Sequence, residues 1–182
     1  MFDFQSIIDK YYPGESALRD IYLHHCRQVA DKALAIAAAH NLPLDKADIE
    51  AAAMLHDIGI FLTNAPGIQC NGSEPYLRHG LLGADLLRRE GAPEAYARVA
   101  ERHTGAGITH EDIVADDLPL PLDRNFMPQT QLERLICYAD KFFSKSGDMA
   151  EKPLPKVMVS MTKFGPETYS RFLSLNREFA VE

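Results

Sequence analysis

The 182-residue chain carries 46% hydrophobic and 25% charged residues, ordinary globular usage with enough apolar side chains for one domain with a sizeable core. Its formal net charge of −7 and pI near 5.5 argue against broad binding to a nucleic-acid polymer or an anionic membrane, both of which need a cationic face. The three cysteines, Cys26, Cys70 and Cys137, lie far apart without C-x-x-C spacing, so neither a disulfide framework nor a thiolate zinc site is expected, and a reducing cytoplasm fits best.

Met1 to Gln5 lacks the basic and apolar regions of a secretory leader, and the longest apolar run, Ala33 to Ala39, is too short to span a membrane. From about Ser16 to His40 the sequence predicts a long helix, rich in Ala and Leu without internal Gly or Pro and ended by Asn41-Leu42-Pro43. Asp45 is the expected N-cap of a second helix, which ends at Gly59 as a left-handed terminator. Residues 62–75 hold too many breakers for regular structure and form a candidate lid. Helices are predicted over Tyr76 to Glu90 and Pro93 to His103, with Gly91-Ala92 between them. A breaker-rich stretch from Thr104 to Pro128 follows, long enough to imply a function or packing over something. Helical periodicity returns from Gln129 to about Ser146, and again over Pro155 to Phe164 and Pro166 to Phe179. No strand alternation, internal repeat or low-complexity tract stands out, so the fold class is all-α. The expectation is a single domain over 1–182, its core about 20–146 and a C-terminal helical extension about 153–182.

Helical phase isolates the residues with chemistry to offer, since i, i+4, i+7 and i+11 share a face. His25 leads Val29, Ala33 and Ile36, whereas His24 leads Gln28, Asp31 and Ala35; the first points inward and the second to water. His79 aligns with Leu82, Gly83 and Leu86, His103 with Tyr96, Val99 and Ala100, and Asp140 with Leu132, Ile136 and Phe143. The doublet His56-Asp57 falls at a helix end. A lone histidine on an apolar face is usually a satisfied core residue, but several such residues on different helices point to one place. A buried carboxylate or imidazole must be neutralised, hydrogen-bonded or metal-bound. His24, His40 and His110 carry no such signal; His40 is a helix-end residue facing the macrodipole. Cys26 and Cys137 read as small buried hydrophobes.

The ordered set His25, His56-Asp57, His79, His103 and Asp140, with His56-Asp57-Ile58-Gly59, His25-Cys26-Arg27-Gln28-Val29-Ala30 and Arg78-His79-Gly80-Leu81-Leu82-Gly83-Ala84, resembles the HD-domain superfamily of metal-dependent phosphohydrolases in its HDIG-type branch. The resemblance covers about residues 20 to 146. It implies an orthogonal helical bundle with added terminal helices, and a first metal held by His25, His56, Asp57 and Asp140. His79 and His103 imply a second metal, with Asp57 bridging and catalytic. Two divalent ions against two carboxylates leave about two positive charges for a hydroxide and an anionic substrate to occupy. Imidazole-rich ligands suit Fe, Mn, Zn or Co better than Mg. The implied substrate is a small, nucleotide-like or other phosphate ester.

Subfamily markers are missing. Three residues past Asp57, where related nucleotidases carry Glu and the cyclic-dinucleotide phosphodiesterases carry Lys, stands Ile60, and there is no Gly-Tyr-Pro triplet. Lys141 and Thr104, each following a ligand, are placed to reach a metal-bound oxyanion; Arg78 and Arg102 precede ligands and read equally as surface residues. Two other classes share part of this pattern. One is the HD-type mixed-valent diiron oxygenase, which has the same ligand order and, in one such enzyme, a Tyr-x-x-Glu element similar to Tyr12-Pro13-Gly14-Glu15. The other is a catalytically silent nucleotide sensor, which would carry a broken ligand set.

Overall fold

A computed structural model describes residues 2–181. Its helices, in chain order, are α1 (Phe4–Tyr11), α2 (Ala17–Ala39), α3 (Lys46–Leu55), α4 (His79–Arg89), α5 (Glu94–Arg102), α6 (His110–Ala115), α7 (Gln131–Asp140), α8 (Leu154–Thr162) and α9 (Pro166–Phe179). The fold is all-α. Starts are set by side-chain caps: Ser16 accepts from the Arg19 amide, Asp45 from Ala47 and Asp48, and capping boxes pair Thr109 with Asp112 and Thr130 with Glu133.

The long helix α2 packs against α3 and α7, α5 against α3, α4 and α7, and α9 against α7. Alanines make the α2–α3 contact close: Ala30, Ala33, Ala51, Ala52 and Ala53 are all buried, and small side chains let backbones approach. α1 was not expected. Its Asp3 cap and its buried Ile7 and Ile8, which belong to the main core beside α3, hold it.

Two expectations about the middle of the chain change. Residues 62–75 form a cross-linked rim rather than a free lid: β1 (Asn64–Ala65) pairs antiparallel with β2 (Cys70–Asn71), and Asn64 and Glu74 exchange strand-like bonds with Glu74 and Leu62. The helix expected from Tyr76 begins as a 3-10 turn, Tyr76–Arg78, and becomes α-helical at His79. The excursion from 104 to 128 is packed, as its length implied. It holds α6 and a small core of Leu81, Ile108, Ile113, Leu120 and Phe126. Arg124 ties it to Glu101 and Asp85 at 2.5 and 2.7 Å, and Arg102 reaches the Asn125 carbonyl and Glu133 at 3.1 and 3.0 Å.

Candidate metal centre

Five of the six candidate residues stand at helix ends that converge. His56 and His103 are the C-caps of α3 and α5, Asp57 follows His56, His79 opens α4 and Asp140 closes α7, while His25 projects from the middle of α2. Three helix C-termini thus meet at one place, and their partial negative charge favours a cation. All six residues are buried, whereas His24 is exposed. The helical phases hold.

Gly59 has a different role from the one expected. α3 stops at Leu55, and Gly59 has φ −88°, a right-handed value. Its lack of a side chain serves close approach: a Cβ there would lie 2.4 Å from the His79 carbonyl oxygen and 2.5 Å from the Gly83 nitrogen. The turn carrying Asp57 can therefore sit directly on α4.

Two groups of ligand atoms form, His25, His56, Asp57 and Asp140 in one and Asp57, His79 and His103 in the other, each mutually within 4.8 Å. Asp57 belongs to both, and its two oxygens divide the work. Oδ2 lies 3.1 Å from His25 Nε2 and 3.2 Å from His56 Nε2, while Oδ1 lies 3.4 Å from both His79 and His103 Nε2. His25 Nε2 is also 3.0 Å from Asp140 Oδ1.

The atoms fit a pair of cations better than each other. Nδ1 of His56, His79 and His103 donates to the carbonyl three residues earlier, at Ala53, Tyr76 and Ala100, over 2.6, 2.7 and 2.8 Å. This fixes the tautomer with a bare Nε2 facing the cluster. Two such nitrogens, of His79 and His103, stand 3.0 Å apart, and facing lone pairs repel without a shared cation. Moreover His25 Nε2, His56 Nε2 and Asp57 Oδ1 are buried without a hydrogen-bond partner. Such atoms carry the full cost of desolvation unless a ligand takes them.

Protonation tendencies agree with this arrangement. Burial holds His79 down to about 3 despite the nearby Asp57, and burial likewise lowers His103, so both rings keep a free lone pair. Burial also opposes charge on Asp57 and Asp140, yet Lys145 and His56 outweigh it at the first, and Lys141 and His25 at the second, keeping both well below the usual carboxylate range. His56 runs the other way: burial is overcome by Asp57 and Cys26, and its proton affinity rises, so a proton competes with a cation for its Nε2.

Lys141 is buried, its Nζ donating to the His103 carbonyl at 2.9 Å and pairing with Asp140 Oδ2 at 2.7 Å. It braces two of the candidate ligands. Thr104 lines a cavity of about 660 Å³ together with His79, Tyr76, Leu118 and Phe164. The residue missed in the sequence is Lys145. Its ammonium lies 2.6 Å from Asp57 Oδ2, with the side chain 12% exposed, and it borders a second cavity of about 410 Å³ beyond Tyr76. Tyr12 and Glu15 do not act together: the Tyr12 hydroxyl donates to the Ile58 carbonyl at 3.1 Å, while Glu15 is exposed.

A family model described as the HD domain matches residues 22–144. The chain belongs to the HD-domain family. Among solved structures it is similar to the L. monocytogenes phosphodiesterase PgpH HD domain, with a TM-score of 0.56 and 19% identity over all of this chain and 90% of that one. The same domain in complex with Cyclic-di-AMP matches with a TM-score of 0.54 and 16% identity, over all of this chain and 99% of that one. Among curated proteins it is 35% identical over 165 residues to a tRNA (cytidine(56)-2'-O)-methyltransferase of Thermoplasma volcanium, covering 91% of this chain and 43% of that protein. A protein of the same name from Picrophilus torridus is 33% identical, over 69% of this chain and 32% of its own length. An uncharacterized protein of Methanocaldococcus jannaschii is 33% identical, over 65% of this chain and 63% of its own. The chain therefore spans less than half the length of either methyltransferase. Among the described residues of this HD-domain chain, no helix is long and apolar enough to cross a membrane.

Proposed function

We propose that this chain is a metal-dependent phosphohydrolase of the HDIG-type branch, acting on a small phosphate ester at a dinuclear centre. The observation that carries the reading is the division of Asp57, Oδ2 toward His25 and His56 and Oδ1 toward His79 and His103. Two divalent ions, of Fe, Mn, Zn or Co by the chemistry of the donors, would supply Lewis acidity and a water of lowered pKa.

The chain's own groups do the rest. Asp57 joins the two ligand groups, and the carbonyls of Ala53, Tyr76 and Ala100 aim three imidazoles. Lys141 holds the His103 backbone and Asp140 in place, and Lys145 offers a cation at the cluster for a phosphoryl oxygen. Thr104 and the cavity beside His79 receive the substrate. The net charge of −7 supports a small ligand over a nucleic-acid polymer, and the neighbour solved with Cyclic-di-AMP supports a phosphorylated one. We read 1–182 as one functional unit. The oxygenase reading loses its Tyr-x-x-Glu element, because Glu15 faces solvent. The intact ligand set opposes a silent sensor.

The deciding assay is phosphate release from a panel of phosphomonoesters and phosphodiesters by manganese-loaded protein without oxygen. Turnover that disappears in Asp57→Ala supports the reading. Strict dependence on iron and O2, with no phosphoester turnover, would overturn it in favour of the oxygenase.

A further inference from the structure

The cavity beside His79 draws part of its wall from outside the stretch that matches the HD family. Residues 22–144 supply His79, Thr104, Ile108 and Leu118, but Lys163, Phe164 and Gly165 come from the turn between α8 and α9. That turn has a defined shape. Gly165 has φ +89° and ψ 165°, a conformation closed to side-chain-bearing residues, and Pro166 then starts α9.

The turn is also held against the cavity. Arg171 on α9 pairs at 2.6 Å with Asp112, itself a cavity residue, and Arg134 on α7 pairs with Glu178 at 2.8 Å. Phe172 and Phe179 are fully buried, their rings beside Tyr138 of α7. Phe164, in the turn itself, is different. It is 63% exposed yet lines the cavity, so its ring is bound to nothing that would explain its size. With Leu77, Ile108 and Leu118 it makes an apolar surface leading to His79 and Thr104, and Gly105, with nothing within 4 Å of its Cβ position, leaves room for a flat group. A volume of about 660 Å³ falls in the ordinary range for small-molecule sites.

We propose that the α8–α9 turn is the specificity wall of this site, with Phe164 as its main contact. It receives the organic part of the phosphate ester, so the chain prefers esters of large, flat, apolar alcohols over compact polar ones. This rests on the phosphohydrolase reading for the position of the phosphate, at the cluster end of the cavity.

The test uses the full metal-loaded chain with 1-naphthyl phosphate and glycerol 3-phosphate, and calorimetric binding of the non-hydrolysable 1-naphthylphosphonate. Phe164→Ala should raise KM for the naphthyl ester about tenfold, the order one aromatic contact contributes in a partly open pocket. It should leave kcat, the glycerol phosphate KM and the metal content unchanged, and weaken the phosphonate by the same factor. Phe164→Tyr should restore binding, and Val159→Ala, an exposed position on α8 outside the cavity, should do nothing. Loss of phosphonate binding in Phe164→Ala without turnover of either ester by the parent chain would support the wall while sinking the hydrolase reading. Phosphonate binding that is absent, or unchanged in Phe164→Ala, overturns the wall whatever the turnover.

Discussion

Replacing Gly59 by alanine should damage stability and the metal centre together. The added Cβ would stand 2.4 Å from the His79 carbonyl oxygen, 2.5 Å from the Gly83 nitrogen and 2.9 Å from the Gly83 Cα. All three are backbone atoms, so no side chain can swing aside. Relief to ordinary contact requires the 56–59 turn and α4 to separate by about 1 Å, in an interior packed too tightly to absorb it. Overpacking of this kind costs about 1–3 kcal/mol, and a clash with backbone on two sides belongs at the upper end. For a chain of this size, about 3 kcal/mol corresponds to a fall in Tm of roughly 6–12 °C. The same movement draws Asp57 Oδ1 away from His79, so metal stoichiometry should fall as well. Gly67→Ala is the control, because nothing lies within 4 Å of its Cβ position. Thermal unfolding with metal analysis decides: Gly59→Ala as stable as the parent chain with unchanged metal content would refute the close-approach argument.

Other predictions follow from the same geometry. Asp57→Asn should remove most bound metal, whereas His79→Ala or His103→Ala should mainly deplete one of two ions; equal losses in all three, measured by metal analysis, would argue against a shared carboxylate. His25→Ala should abolish tight metal binding while His24→Ala leaves it near the parent level, and the reverse would mean that the α2 register is misread. Arg102→Ala leaves Glu133, 1% exposed, without its cation and should cost about 3–5 kcal/mol in denaturant unfolding; a loss below about 1 kcal/mol would contradict the pairing. Burial pushes the Cys137 thiol up to about 11 from an unfolded value near 9. The unfolded chain therefore releases this proton first, and stability should fall as pH rises from about 9 to about 11. A Cys137→Ala variant showing the same alkaline slope would show that the thiol is not its source.

The candidate ligand cluster was legible because periodicity carries phase, and phase separates neighbours as similar as His24 and His25. Asp45 was legible as a cap, since an acidic side chain ahead of an apolar helical run has one obvious use. Lys145 was not, because the expected helix ran on to about Ser146 whereas α7 ends at Asp140, and it is the turn beyond that end that carries Lys145 to Asp57. Gly59 was visible as special but for the wrong reason: sequence shows that a glycine is present, while only the fold shows that α4 passes within contact of it. α1 was overlooked although Asp3 and the Ile7-Ile8 pair mark it, since eight residues give little periodic signal. The cavity joins residues 104–118 to 163–168, and no local pattern predicts a contact of that separation.

The central claim is that two metal ions share Asp57, and anomalous diffraction from a manganese-loaded crystal measures it directly. Two peaks are predicted, one ringed by His25, His56, Asp57 and Asp140, the other by Asp57, His79 and His103, with Asp57 Oδ2 on the first and Oδ1 on the second. A single peak at full manganese saturation, or two peaks with Asp57 touching only one, would contradict the account.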